Sequence, residues 1–267
     1  MREKMSVVII SCDKFSDLWD GQVKLLEQNW PDRDMNTFIV TDAPTTKQYP
    51  GITIISAGAE LEWTERLAYA LKQIETDYVF ITLDDYYLIK KVDNQSIVDI
   101  LSIIEKERFD YMRLYKRPRK AVSRKVDGYP KIFHLDITKN YSVNLYVGIW
   151  AKSFLESTLK KKKNVWLYEA SLFLRAQEYG AKCAVSHRNE FQILDVVRKG
   201  KLLHKAAYFF KKHPGIYTGN REVNSMEYEI KLAIQTMVSK ATPLWLKGRI
   251  KAFMSKRGHR YFSDQID

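Results

Sequence analysis

The sequence predicts an α/β fold, a doubly wound, mostly parallel sheet flanked by helices. Three observations point there. The run Tyr78-Val79-Phe80-Ile81-Thr82-Leu83 is β-branched and aromatic with little polar alternation, the pattern of a strand covered on both faces. Short runs of that kind alternate with stretches whose apolar residues repeat every 3.6 positions, which is the traffic of βαβ units. With 267 residues, 45% of them hydrophobic, the chain can bury one large core, so one domain over residues 1–197 with an appended piece over 198–267 accounts for it.

Taken in order, Ser6 to Ser11 is a first strand, followed by a helix in which Leu18, Trp19, Gln22, Val23, Leu26 and Trp30 share a face and Pro31 marks the stop. Thr37 to Thr41 is a second strand ending at Asp42. The Ala43-Pro44 and Pro50-Gly51 turns bracket a loop before a short third strand, Ile52 to Ile55. A helix starting near Thr64, with Leu67, Leu71 and Ile74 on one face, leads into the apolar run, which continues to Leu88 through the adjacent carboxylates Asp84 and Asp85.

Ile97, Ile100, Leu101 and Ile104 then mark an amphipathic helix, and Phe109 to Tyr115 alternates like a strand. The basic stretch from Lys116 to Tyr129 reads as a mobile loop. Tyr141 to Trp150 reads as a strand in which Gly148 lets a ligand approach the backbone. Ser153-Phe154-Leu155-Glu156 is a capping box opening a helix that ends in Lys160 to Lys163. A further helix opens near Glu169 and is capped by Gly180, ahead of a strand from Ala181 to Val185 and a possible lid strand from Phe191 to Val197.

The formal net charge is +12, and the segment from Arg198 to Arg260 holds 15 Lys and Arg against 3 Glu, so all of the excess sits there. Bases alternate with aromatic and aliphatic residues in Leu202 to Lys212 and again in Leu244 to Met254. That pattern suits an anionic membrane surface, with nucleic acid as the other electrostatic partner and a solvated helix face as the plain alternative. No apolar run is long enough to span a bilayer and Met1 to Met5 enters a strand directly, so a cytoplasmic protein, peripheral on the cytoplasmic membrane face, is expected. Cys12 and Cys183 lie far apart in strand-like contexts, as buried reduced thiols do.

In open α/β sheets ligands bind beyond the carboxyl ends of the strands. Asp84 and Asp85 at such an end either hold a divalent cation through hard oxygen ligands or cap the following turn. Glu169 is either helix-dipole design or, if the fold brings it to the same cleft, a general base. Trp63-Thr64-Glu65-Arg66-Leu67 ahead of Asp77-Tyr78-Val79-Phe80-Ile81-Thr82-Leu83-Asp84-Asp85, followed by Glu169-x-x-Leu172-x-x-Arg175 and Gly180, resembles the GT-A glycosyltransferases, particularly bacterial enzymes of capsule and surface polysaccharide synthesis. The motifs are loose, and their order over roughly the first two thirds of the chain carries the resemblance.

The resemblance implies a sugar transfer from a nucleoside-diphosphate donor, a UDP-sugar favoured, to a hydroxyl of a growing, lipid-linked glycan. It implies that Ser11, Asp13 and Asp42 line the nucleotide pocket, with Arg66 and Trp63 contacting the nucleotide from their helix. Asp84 and Asp85 fall on the DxD position that holds Mn2+ or Mg2+, and Glu169 on the acceptor-side base. Two departures stand out. Position 86 is Tyr where a DxD motif has its second acid, so neighbouring acids point to opposite faces unless the chain turns, and His187 becomes a candidate extra metal ligand. The acid preceding Glu169 in the family is Tyr168 here. Arg198, Lys199 and Lys201 are placed to fold over the diphosphate. The alternatives are a nucleotidyltransferase, which the glycine-free Ser11-Cys12-Asp13-Lys14 disfavours, and a nucleic-acid binder using the basic tail.

Overall fold

The structure, a computed structural model, describes residues 1–116 and 118–242. The expected amphipathic stretch from Leu244 to Met254 lies outside the described residues.

Strand β1 (Met5–Ile10) leads through a 3-10 turn (Asp13–Leu18) into helix α1 (Trp19–Asn29). Strands β2 (Thr37–Thr41) and β3 (Ile52–Ser56), helix α2 (Trp63–Leu71) and strand β4 (Tyr78–Leu83) follow as expected. The apolar run then breaks. The chain turns at Asp84-Asp85, and β5 (Tyr86–Leu88) leaves the main sheet. Helix α3 (Asn94–Glu107) and β6 (Tyr111–Arg113) come next.

The stretch expected to be a mobile loop instead contains β7 (Val122–Val126), hairpinned onto β8 (Tyr129–Leu135). Its two-residue turn is Asp127-Gly128, with Gly128 at φ 79°, the residue pair such hairpins favour. The bases that suggested a loop, Arg124 and Lys125, are exposed on an edge strand, where charge blocks further pairing. Strand β9 (Gly148–Ala151) is shorter than expected, because residues 141–147 form an irregular loop. Gly148 serves packing: a Cβ there would lie 3.0 Å from the Met112 carbonyl and the Tyr111 ring, so the glycine admits the neighbouring strand and not a ligand.

Helix α4 (Lys152–Thr158) has Ala151 at its N-cap, so Ser153 is inside it and forms no capping box. Helix α5 (Val165–Tyr179) begins a turn earlier than expected, its N-cap Asn164 accepting from Leu167 N, and ends at Gly180 with φ 72°. Strands β10 (Cys183–Ser186), β11 (Ile193–Asp195), β12 (Val197–Arg198) and β13 (Lys201–Leu202) precede helices α6 (His204–Lys212) and α7 (Met226–Ala241). Val197 and Arg198 share a strand, so the junction expected between residues 197 and 198 falls inside a small hairpin.

Among the described residues the main sheet runs β3-β2-β1-β4-β9-β6-β10-β8-β7. Its first four strands are parallel, and β9, wedged between β4 and β6, is antiparallel to both. Both faces are buried. Val7, Ile9 and Phe80 pack toward α1 and α3, whereas Val8, Ile10, Val79 and Ile81 pack toward α2, α4 and α5. Each such side chain contributes about 1.5–3 kcal/mol of burial, which is why the run carries no polar alternation. A separate cluster joins Leu18, Leu25 and Tyr87 to Leu194, Val196, Leu202, Ala206, Phe210 and Ile216, and thereby docks the chain after β10 onto α1 and β5.

Candidate active site

The site is built at the carboxyl ends of β1 and β4. Parallel pairing of Ile10 with Leu83 sets Ser11 beside Asp84. The Ser11 hydroxyl accepts a hydrogen bond from Trp19 Nε1 (2.7 Å) and donates to Asp84 Oδ2 (2.5 Å), so α1 and β1 together orient that carboxylate. Asp84 is 8% exposed. Burial pushes its pKa up to about 7, against the lowering effect of the Ser11 hydrogen bond and the Arg221 charge.

Asp85 lies across the turn. Its carbonyl accepts from Val196 N (2.9 Å), which fastens β11 over the turn, and its Oδ1 is buried with no hydrogen-bond partner. Desolvation and the charges of Asp84 and Asp195 hold its pKa well above the ordinary carboxylate value. Two such acids side by side do not both ionise readily without a counter-charge. Among the described residues no group of three or more His, Cys, Asp or Glu is arranged to hold a metal ion. Two carboxylates with one unpaired oxygen nevertheless fit Mg2+ or Mn2+, which take one or two protein carboxylates and draw their remaining ligands from water and substrate phosphate.

Beside this edge, Asp42 Oδ1 accepts from Asp13 N (2.7 Å), and Asp42 Oδ2 lies 3.1 Å from Arg66 Nη1. That ion pair is close but poorly directed, since Arg66 Nε and Nη1 are buried without a hydrogen-bond partner. Cys12 stands among these groups. Burial, with the charges of Asp84 and Asp42, pushes its thiol up to about 11, so it is no nucleophile at neutral pH. Ser11, Asp13, Asp42, Arg66, Asp84 and Asp85 are therefore brought together. Trp63 is not. It is 8% exposed and packs against the Tyr168 ring at 4.9 Å, a core position.

On the other side of Asp85 the chain presents Tyr86, whose ring stacks on Tyr146 (5.8 Å, 12°), which stacks in turn on Tyr115 (4.7 Å, 30°). Burial raises the Tyr86 phenol, and the charges of Asp85, Asp195 and Glu169 add to the shift, so this tyrosine is within electrostatic reach of all three acids. Glu169 Oε1 accepts from Leu145 N (3.1 Å), and burial raises its carboxyl above the ordinary value. It occupies the second turn of α5, away from the helix start, so helix-dipole design does not explain it.

The three bases after the lid strand diverge. Arg198 donates to Asp195 Oδ2 (2.8 Å) and so faces the carboxylates. Lys199, at φ 53°, places Nζ over the Tyr228 ring, and Lys201 pairs with Glu222 at 2.5 Å on the surface. His187 does not join the acids. It lies three strands from β4, about 14 Å along the edge, packed on Phe133. Burial and the nearby Lys116, Arg113 and Arg119 lower its pKa. A groove of about 520 Å3 opens along the outer strand β3 between Pro44 and Ser56, but none of the carboxylates lines it.

Sequence reasoning missed Asp195, Tyr86, Tyr146 and Arg221. Asp195 lies on the strand expected to be a lid, but its pairing with Tyr86 depends on β5 leaving the sheet. Arg221 holds Asp17 through Nε (2.7 Å) and Nη2 (2.6 Å), a contact across 204 residues that no local spacing encodes.

A mostly parallel sheet with paired carboxylates turning at the end of β4 is an α/β fold of the GT-A type. One solved structure matches it above a TM-score of 0.5, and two further alignments fall below that. The mannosyltransferase PcManGT from Pyrobaculum calidifontis, in complex with GDP-Man and Mn2+, aligns over 99% of this chain and 83% of its own at 11% identity and TM-score 0.51. S. aureus TarS 1-349 in complex with UDP-GlcNAc aligns over 74% of this chain at 14% identity and TM-score 0.49, and this chain spans 60% of that fragment's length. A cytidylyltransferase from Leptospira borgpetersenii aligns over 84% of this chain and 100% of its own at 12% identity and TM-score 0.45. No family model and no curated protein matches the sequence.

Proposed function

We propose that this chain is a glycosyltransferase that moves a sugar from a nucleoside-diphosphate donor to a hydroxyl of a glycan. The observation that supports it best is the two-sided edge. Ser11 and Asp42, the latter paired with Arg66, follow β1 and β2 on one side of β4, and Glu169 holds the loop leading into β9 on the other.

In this reading Asp13 and Asp42 line the nucleoside pocket, and Arg66, held beside Asp42 by their ion pair, contacts the nucleotide from α2. Asp84 and Asp85 would hold a divalent cation, and that ion would supply the positive charge that neutralises a departing diphosphate. Ser11 and Trp19 keep Asp84 oriented, and Arg198 stands near enough to add positive charge from the β12 hairpin. Glu169, desolvated and raised in pKa, takes the proton of the acceptor hydroxyl as it attacks the anomeric carbon. The β11 segment, fastened at Asp85, covers the site and limits competing water.

The same reading places the enzyme on an anionic membrane surface with a lipid-linked acceptor. Tyr208 of α6 and Met226, Ile230, Ile234, Met237 and Val238 of α7 are each more than half exposed, in a segment rich in Lys and Arg. Among the described residues no helix is long and apolar enough to cross a membrane.

A thermal-shift screen of UDP-, GDP-, CMP- and dTDP-sugars with and without Mn2+ or Mg2+ tests the donor reading, because a specific ligand stabilises the native state by mass action. One nucleotide class should raise the unfolding midpoint, and Asp85→Ala should lose the metal-dependent part of the rise. No shift with any donor would sink the proposal, and pyrophosphate release from CTP plus a sugar acid or sugar phosphate would replace it with nucleotidyl transfer.

A further inference from the structure

The loop of residues 141–147 and the residues around Tyr115 are held with more care than a connecting segment needs. Arg113 is fully buried, and among the described residues no carboxylate pairs with it. Among the described residues its guanidinium donates only to backbone carbonyls: Nε to Tyr115 (2.8 Å), Nη2 to Pro118 (2.9 Å) and Nη1 to Ser142 (3.3 Å). A buried charge satisfied by dipoles alone is costly, and what it achieves is to tie two loops together. Asn144 fixes the second loop from inside, accepting from Tyr146 N (3.1 Å) and donating to the Tyr141 carbonyl (3.0 Å). Glu169 holds it from the helix side through Leu145 N.

What these bonds present is tyrosine. Tyr115, Tyr146 and Tyr86 form a ladder whose rings are close to parallel. Stacked rings lie roughly 3.5 Å apart face to face, so a 5.8 Å centroid separation at 12° means a lateral slip of about 4–5 Å, and all three stepped tyrosines are part-exposed. Tyr141, in the same loop as Tyr146, has 43% of its surface exposed and a backbone φ of 61°, a left-handed conformation that a non-glycine residue holds only when its surroundings impose it. The Glu169 charge acts on Tyr86, Tyr141 and Tyr146 alike.

We propose that Tyr141, Tyr146, Tyr86 and Tyr115 form a stacking platform for the pyranose ring of the acceptor, lying against its axial C–H face and presenting one of its hydroxyls to Glu169. The platform rests on the glycosyltransferase reading above and adds the class of acceptor. A pyranose with axial hydrogens offers an apolar face and a hydroxyl-bearing rim, and the electron-rich face of a tyrosine matches the first while its phenol matches the second. The nucleoside does not compete for it, because Asp13 and Asp42 follow β1 and β2 on one side of β4, whereas Tyr146 and Tyr115 flank β9 and β6 on the other. Arg113 is the positioning residue, since it touches the tyrosine loops through their carbonyls.

Saturation-transfer NMR with methyl β-D-glucopyranoside and methyl β-D-galactopyranoside, each in the presence of UDP, tests the platform on the whole protein. Irradiating the aromatic protons should saturate the axial ring hydrogens most strongly. The effect should fall at least threefold in Tyr141→Gly and in Tyr146→Leu and persist in Tyr146→Phe, which keeps the ring. Tyr141→Gly should unfold no earlier than the parent, because glycine adopts φ 61° without strain. Absence of transfer to either glycoside in the parent protein overturns the platform, as does transfer that is undiminished in both Tyr141→Gly and Tyr146→Leu. The donor reading is scored separately by the nucleotide-sugar thermal shift. A protein with ring-dependent glycoside transfer and no such shift keeps the platform and loses the donor.

Discussion

Ser11 serves two partners through one oxygen, and both depend on it. Replacing it with alanine leaves the buried Trp19 Nε1 donor and the Asp84 carboxylate each short of a hydrogen bond. Ser11→Ala should cost about 1–3 kcal/mol of stability, read by denaturant titration, and should weaken any metal-dependent donor shift. Glu169 behaves in the opposite sense. Its folded-state pKa is raised, so the stability associated with its protonated form is present at low pH and lost as pH rises through the folded value. Glu169→Gln keeps an acceptor for Leu145 N and removes the desolvated charge. The variant should therefore be more stable than the parent at pH 8, and the difference should vanish as pH falls below about 4.5, the ordinary value for the free side chain. Loss of a general base should lower transferase turnover by about 100-fold or more, with donor binding retained. Equal turnover in the two proteins would remove Glu169 from the mechanism.

Among the elements, the fastening of the segment after β10 onto α1 is where the site gains its roof, and it turns on a glycine. A Cβ at Gly21 would run into the Ile216 carbonyl and the Tyr87 hydroxyl, so the turn around Ile216 can lie on α1 only because that side chain is absent. Gly21→Ala should cost about 1–3 kcal/mol and open residues 199–224 to limited proteolysis, leaving the main sheet protected. Cleavage within the sheet instead would mean that α1 itself had failed. The parallel half of the sheet was legible because β1, β2 and β4 are buried on both faces and say so in apolar runs with little polar alternation. The antiparallel half was not. Strand β9 contributes four residues between two strands that both precede it in sequence, and only tertiary pairing defines its ends. In β7 the charge of Arg124 and Lys125 hid an edge strand, although Asp127-Gly128 was the available signal. In the site, Asp84, Asp85 and Glu169 stood out as acids after or within apolar runs, whereas Asp195 and Arg221 act only through contacts formed when the C-terminal segment folds back.

Across the whole molecule, charge and apolar exposure coincide in one region. α7 is tied at its first turns, where Glu229 accepts from the His204 backbone N–H and contacts its ring, and Lys199 covers Tyr228. Beyond that anchor, Ile230, Ile234, Met237 and Val238 repeat at three to four residue spacing and stay exposed. Such a stripe, in a segment that also carries the exposed Lys205, Lys211 and Lys212, has the two components of an interfacial helix, apolar insertion and attraction to anionic headgroups. The two components separate experimentally. Full-length protein should co-float with vesicles containing phosphatidylglycerol, and raising salt from 0.1 to 0.5 M should weaken binding by screening the charges. Ile230→Ser with Ile234→Ser removes two half-exposed side chains that would insert, worth about 1 kcal/mol each, so affinity should fall about 30-fold at low salt while the fold and nucleotide-sugar binding are retained. If the double variant floats as the parent does and only salt releases it, the stripe is not the seat and charge alone accounts for attachment. If neither protein floats, the acceptor is met in solution and the membrane reading falls, with the donor and acceptor sites unaffected.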